Sequence, residues 1–219
     1  MHCVHCVHYV HFVHYTQWSS SGSPIAACCV AFSPQPSASL AFSAAFPGAR
    51  VVNPVGREML DTKVNYCLGA DHGKWRSGVP TFGVVVYEGL YDGIDLHTYG
   101  RRSNLKYEFH VAPGADWRKI RIHYDGIAGL SIAENGSLIV DVGYGWGSLQ
   151  DDAPIIYQEI GGRRVNVPGR FVLVDSRTYS FEITGTADTA APLVIDPELA
   201  WSTYQRPFCF LLENSVCPR

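Results

Sequence analysis

The amino-terminal segment carries the residue types best suited to binding a metal. Residues 1 to 18 read MHCVHCVHYVHFVHYTQW, so His recurs at every third position from His2 to His14. Imidazole and thiolate groups bind zinc and copper well, and the first of them are His2, Cys3, His5 and Cys6. A structural zinc site draws its ligands from separated segments, however, and a period of three suits neither a helix nor a strand. We therefore favour a low-complexity stretch over a metal tract, and we assign no metal.

Two carboxylates lie close together in Tyr91-Asp92-Gly93-Ile94-Asp95-Leu96. With Glu108 or Asp116 nearby in the fold, they would make a Ca²⁺ site or an acid/base pair. Asp-Gly is also common turn chemistry, and an Asp beside a strand often accepts backbone N–H groups. The segment Pro113-Gly114-Ala115-Asp116 similarly predicts a turn followed by a cap. We expect structural roles for all of these carboxylates.

Three histidines, His97, His110 and His123, fall on the polar sides of three predicted strands. They would form a metal triad only if those strands were neighbours in one sheet. Separate histidines facing solvent are the more common arrangement, and it is the one we predict. Asn135-Gly136-Ser137 matches an N-glycosylation site, but the Asn-Gly turn explains the same residues.

The sequence lacks the short motifs of common enzyme classes. It contains no G-x-S-x-G, H-E-x-x-H or G-x-x-x-x-G-K-[ST] motif. The glycine-rich run Gly143-Tyr144-Gly145-Trp146-Gly147 is not followed by a predicted helix that would bind phosphate. We predict that the protein is not an enzyme, with no catalytic, cofactor-binding or metal-binding residues and no cofactor.

Charge and hydropathy exclude two kinds of partner. The net charge is −3 and the sequence pI is about 6.3, without a basic stripe, so nucleic acid is not an expected partner. The longest early apolar stretch, Ile25 to Phe32, is stopped by Pro34 and is too short to span a membrane. No Lys or Arg precedes Arg50, so no export signal is evident.

The cysteines lie mostly outside the body of the chain. Of the seven, only Cys67 lies between the amino-terminal segment and the carboxyl-terminal tail. The body therefore does not depend on a disulfide framework, as expected for a domain large enough to be stabilised by burial. The sequence leaves undecided whether Cys209 and Cys217 in the tail form a disulfide.

The body of the chain is predicted to consist of short strands. From about Val51 apolar and polar residues alternate, with turn residues about every eight to twelve positions, which predicts an antiparallel all-β domain. We place a poorly ordered, low-complexity segment at 1–46, the all-β domain at 47–204 and an atypical tail at 205–219. In one strand we expect Tyr107, Phe109 and Val111 to face the core and Lys106, Glu108 and His110 to face outward.

Successive hairpins indicate how these strands connect. Asn135-Gly136 predicts a tight hairpin turn with positive φ at both residues. Further hairpins are expected across Gly161-Gly162 and across Asp175-Ser176-Arg177. Val84-Val85-Val86 lacks alternation and predicts a strand deep in the sheet, covered on both faces. The predicted fold is an antiparallel β-sandwich built from hairpins, with an irregular amino-terminal segment.

Several short sequence motifs of the predicted β domain occur in the order typical of one family. They are Asn65-Tyr66, Leu68-Gly69, Asp71, Trp75, Val79-Pro80-Thr81, Tyr91 to Leu96, Tyr99-Gly100, Tyr107-Glu108-Phe109, Val111 to Asp116, Ile120-Arg121, Tyr157-Gln158, Pro192 to Pro197 and Tyr204. Over about residues 49–204 the chain resembles the uncharacterised all-β domain that precedes SBBP (seven-bladed β-propeller) repeats in bacterial surface and secreted proteins. The family's first strands and the repeats after Tyr204 are not found, so this copy is expected to be truncated.

The resemblance implies an extracellular or cell-surface β-module without known catalytic residues. We therefore expect a non-enzymatic role in assembly, spacing or adhesion, with other surface proteins or a repeat array of the parent protein as partners. The alternative is a carbohydrate-binding or carbohydrate-processing β-sandwich. It rests on the aromatic residues Tyr91, Trp117, Tyr144 and Trp146 and the carboxylates near them.

Overall fold

The computed structural model describes residues 42–66, 71–101, 104–143 and 147–200, and the backbone of four earlier strands. Two short 3₁₀ turns, His72–Lys74 and Trp117–Lys119, interrupt an otherwise β structure. The strands, numbered in chain order, are β1 Val13–Trp18, β2 Pro24–Cys29, β3 Phe32–Gln35, β4 Ala38–Leu40, β5 Ser43–Ala45, β6 Val55–Tyr66, β7 Arg76–Tyr91, β8 Ile94–Arg101, β9 Asn104–Val111, β10 Ile122–Asp125, β11 Gly129–Ile132, β12 Leu138–Asp141, β13 Ser148–Ile160, β14 Arg163–Asn166, β15 Gly169–Leu173, β16 Thr178–Ile183 and β17 Leu193–Ala200.

Two antiparallel sheets form the body, as the alternating sequence predicts. The large sheet has the order β11-β12-β13-β17-β9-β8-β7-β6, with β14 paired to β13. The small sheet has the order β15-β16-β10-β5. The strand β17, from the carboxyl-terminal part of the domain, inserts between β13 and β9 and so closes the middle of the large sheet.

The three predicted hairpins are confirmed, and the geometry of one turn differs from the expectation. Gly161 and Gly162 both have positive φ and form the two-residue turn between β13 and β14. Between β11 and β12, only Gly136 has positive φ, and its N–H donates to Ala133 O at 2.9 Å. The prediction of positive φ at Asn135 was wrong. Its side chain instead accepts a hydrogen bond from Ser137 N at 3.1 Å, which a longer turn permits.

The hydrophobic core lies between the two sheets. The large sheet contributes Phe109 and Ile195, and the small sheet contributes Phe171, Tyr179 and Phe181, all with exposed fractions of 2% or less. Phe109 contacts Phe181 edge-on, with ring centroids 5.9 Å apart. Burial of this apolar surface is the main favourable contribution to stability.

Both the inward and the outward set of strand β9 are confirmed, although two of the outward side chains are largely covered. Tyr107, Phe109 and Val111 are buried in the core. Lys106 and Glu108 lie on the opposite face, but their side chains are only 13% and 12% exposed. They point outward as predicted, but they are shielded from solvent because the neighbouring strands β8 and β17 bring polar side chains of their own over this face.

The valine run of β7 is covered on both faces, since the consecutive residues Val85 and Val86 are both buried. The strand lies second from the edge of the large sheet, between β8 and β6, and is therefore less central than the sequence predicts. Beyond this run, β7 continues toward its amino-terminal end with β6 as its only described partner.

The predicted domain boundaries stay predictions. Within the segment 1–46, the structure describes β1 paired with β2, β3 paired with β4, and β5 paired with β10 of the small sheet. His2, Cys3, His5 and Cys6 lie outside the described residues, as do Cys67, Tyr144, Trp146 and the tail 205–219. In the described part of the chain, no helix has the length and apolar character needed to cross a membrane.

Candidate functional site

A cluster of interacting charged and aromatic side chains lies on the face of the large sheet that points away from the core. It consists of His97, Tyr99, Lys106, Glu108, His110 and Asp196, and we call it the outer-face cluster. Strand register brings these side chains together: Tyr99 lies opposite Lys106, and His97 lies opposite Glu108. Strand β17 adds Asp196, which follows the pair formed by Ile195 and Phe109.

Glu108 is the centre of the cluster. Its carboxylate accepts a hydrogen bond from the Tyr99 hydroxyl and lies 3.1 Å from Nε2 of His110 and 3.4 Å from Nζ of Lys106. Because a carboxylate only accepts, His110 Nε2 carries the proton of that hydrogen bond. Burial by itself disfavours the charged form of Glu108, but these three donors outweigh it and lower its pKa to about 2.

Lys106 joins two carboxylates. Its ammonium lies 2.8 Å from Oδ2 of Asp196 as well as beside Glu108. Burial lowers the pKa of Lys106, but the contacts with Asp196 and Glu108 outweigh burial and leave the pKa raised. Asp196 is only 4% exposed, and burial raises its pKa although the contact with Lys106 opposes the rise. Its second oxygen, Oδ1, has no hydrogen-bond partner among the described residues.

Ring contacts flank the charged groups. His97 and His110 stack with centroids 3.9 Å apart and an interplanar angle of 17°. Burial, together with the neighbouring His110, lowers the pKa of His97. Next to this cluster, the Arg164 guanidinium lies 3.4 Å from the ring centroid of Tyr157, which is cation–π geometry.

Two charges of the cluster are fixed near neutral pH. Glu108 is ionised and Lys106 is protonated, and the pKa of the Tyr99 hydroxyl is raised by burial and by its hydrogen bond to Glu108. The complementary charges of the cluster hold strands β8, β9 and β17 together.

A second polar network crosses the core. The Tyr107 hydroxyl donates to Oδ2 of Asp151 at 2.8 Å and lies 2.9 Å from the Tyr179 hydroxyl of the small sheet. Asp151 is 1% exposed, and its Oδ1 has no partner among the described residues. Burial raises the pKa of Asp151 to about 7, although the hydrogen bond from Tyr107 opposes this. The network therefore links the two sheets around a carboxyl group that is costly to ionise.

The carboxylates of the Tyr91 to Leu96 segment have the structural roles that the sequence predicts. Asp95 accepts a hydrogen bond from Gly89 N at 2.7 Å, and exposed Asp92 forms an ion pair with Arg50. Tyr91 is 3% exposed, and its hydroxyl contacts backbone atoms of Arg121 and Pro47. These contacts hold the Tyr91 ring inside the core.

Asp116 caps a turn, as predicted. Its carboxylate accepts a hydrogen bond from Arg118 N at 3.2 Å at the start of the 3₁₀ turn. The adjacent Trp117 ring lies under the Arg118 guanidinium, 4.7 Å from its centroid. One face of this candidate sugar-stacking residue is therefore already occupied.

The three candidate histidines do not meet. His97 and His110 are neighbours on the large sheet, whereas His123 lies on the small sheet with Nδ1 2.9 Å from Thr178 Oγ1. Among the residues that the structure describes, no group of three or more His, Cys, Asp or Glu side chains is arranged to hold a metal ion.

Sequence reasoning missed both polar networks. The outer positions of β9 could be found by alternation, but the pairing of β9 with β17, which brings Asp196 to Lys106, joins residues far apart in the chain. Asp151 gives no signal, because a carboxylate in a strand is normally placed on the solvent side.

Comparison with known proteins identifies a family. Residues 18–198, most of the chain, match the family model described as Domain of unknown function (DUF7948). No curated protein and no solved structure matches the chain significantly.

Proposed function

The chain belongs to the DUF7948 family, and we propose, on the resemblance of its motifs, that it is a non-enzymatic β-module of an extracellular or cell-surface protein, with a role in assembly, spacing or adhesion. The outer-face cluster carries this proposal, because its charged groups are engaged with one another. We further propose that the parent protein carries SBBP repeats, on the resemblance of the motifs described above. A surface module of this kind needs stable strands more than a reactive centre.

Carbohydrate binding, the alternative function, has weaker support. An open groove between the β11–β12 hairpin and β15 has Glu134 and Arg170 as its charged lining residues. Glycosidase chemistry requires two carboxylates flanking the substrate. The buried ring of Tyr91 and the covered ring of Trp117 also reduce the aromatic surface that a sugar would need.

Protease treatment of intact cells tests the surface location. Lys74 lies at the tip of the β6–β7 hairpin with 78% of its side chain exposed, and exposed Arg76 follows it. Trypsin added to intact cells that produce the parent protein is expected to cut after one of these residues, since exposed loop tips are the usual sites of nicking. Mass spectrometry of the released fragments locates the cut.

The matched control carries the substitutions Lys74→Gln and Arg76→Gln, which remove both trypsin sites and should abolish this cut. A cytoplasmic protein followed in the same sample must stay intact. If the hairpin is cut only after the cells are broken, the proposed surface location is wrong.

A further inference from the structure

The distal half of the β6–β7 hairpin projects beyond the rest of the sheet. Strand β8 pairs with β7 only from Val85 onward, so the earlier part of β7 has β6 as its only described neighbour. We call the paired residues 59–66 and 76–82 the arm. Met59 is 72% exposed and Leu60 is 37% exposed on this arm. A hairpin of two strands is marginally stable in water unless something packs against it or extends it.

The outer edge of the arm is formed by β6, and no described strand pairs with it. The ladder to β7 shifts register between Leu60 and Lys63, and within this interruption the Thr62 carbonyl oxygen accepts a hydrogen bond from the Thr81 hydroxyl of β7 at 2.6 Å. An edge strand exposes a row of N–H and C=O groups that can pair with another chain. On this edge residues 61–63 are all exposed.

The sequence of β6 is complementary to itself around Thr62. If two copies pair antiparallel with Thr62 opposite Thr62, then Asp61 lies opposite Lys63 and Leu60 lies opposite Val64, each pair occurring twice. Opposite charges and apolar pairs directly across an antiparallel ladder are stabilising. Asp61 and Lys63 are both exposed, and neither forms an ion pair with another described residue. They are thus free to pair across such an interface.

We propose that β6 binds a second copy of this chain by antiparallel strand pairing about Thr62. The pairing joins two large sheets edge to edge, satisfies the free backbone groups of both edges and places two Asp61–Lys63 ion pairs across the interface. Because the inference rests on strand geometry and charge, it does not depend on the proposed function.

Sedimentation velocity of the full chain, over a range of about 1 to 200 µM, measures the association. The wild-type chain is expected to show a monomer–dimer equilibrium. Asp61→Lys and Lys63→Asp each place like charges opposite each other twice, and each should weaken dimerisation at least about tenfold. The double variant Asp61→Lys with Lys63→Asp restores opposite charges and should recover dimerisation. Glu134→Lys, an exposed charge reversal on another hairpin, should leave it unchanged.

Circular dichroism of each variant checks that the fold is retained. The proposal is overturned if the wild-type chain stays monomeric over the whole concentration range or if the single charge reversals leave dimerisation unchanged. It is also overturned if the double variant dimerises no more strongly than the single variants. It is also overturned if a chain ending at Tyr204 loses association, because that result would assign the contact to the apolar tail, which contains Phe208, Phe210, Leu211 and Leu212.

Discussion

Replacing Phe109 with alanine is expected to lower the free energy of unfolding by about 3–5 kcal/mol. The side chain is fully buried and contacts the rings of Tyr107, Phe46 and Phe181. Its truncation removes apolar contacts and leaves a cavity between the two sheets, which the surrounding aromatic residues can fill only in part. Urea denaturation followed by tryptophan fluorescence measures the change.

The matched control for this substitution is Val174→Ala, because Val174 is also apolar but 52% exposed. It should cost less than about 0.5 kcal/mol, as exposed positions usually do. Equal losses at the two positions would contradict the packing described here, since they would mean that Phe109 is not at the centre of the core.

Replacing Asp151 with asparagine is expected to stabilise the protein increasingly as the pH rises. The folded pKa of Asp151, about 7, lies above its ordinary value of 3.8, so the carboxyl group disfavours folding progressively between those two pH values. Relative to wild type, the free energy of unfolding of Asp151→Asn should therefore increase by roughly 2 to 3 kcal/mol between pH 5 and pH 8. Urea denaturation of both proteins across this pH range measures the difference.

The matched control here is Asp125→Asn, which removes an exposed carboxylate from a strand of the small sheet. Its difference from wild type is the baseline against which the change for Asp151→Asn is measured. Comparing each variant with wild type at the same pH cancels the contributions of other titrating groups, such as His97. If the difference in the free energy of unfolding between Asp151→Asn and wild type does not change with pH, then ionisation of Asp151 does not destabilise the folded protein, and the account of the core network is wrong.

Local patterns in the sequence were sufficient to predict much of the fold. Alternation identified Phe109 and its inward neighbours in β9, and the pair Gly161-Gly162 identified a hairpin turn whose backbone requires positive φ. Both depend on interactions within a few residues, which a sequence displays directly. The turn at Asn135 was predicted less well, because its length depends on how β11 and β12 align.

The polar networks depend on strand order, which the local pattern does not specify. Lys106 meets Asp196 only because β17 lies next to β9, although 90 residues separate the two side chains in the chain. Tyr107 likewise meets Tyr179 only because the two sheets pack face to face. Alternation also placed His97 and His110 on a polar face, but only strand order shows that they are neighbours and that His123 belongs to the other sheet.

The outer-face cluster is a structural ion network, with Glu108 held ionised by its three donors. An NMR pH titration of the side-chain carboxyl carbons tests it most directly, since each carboxyl group is followed separately. We predict that Glu108 titrates with a pKa of about 2, well below its ordinary value of 4.5. A Glu108 pKa at or above 4.5 would contradict the account, because the carboxylate would then lack the donors that make this cluster a structural feature.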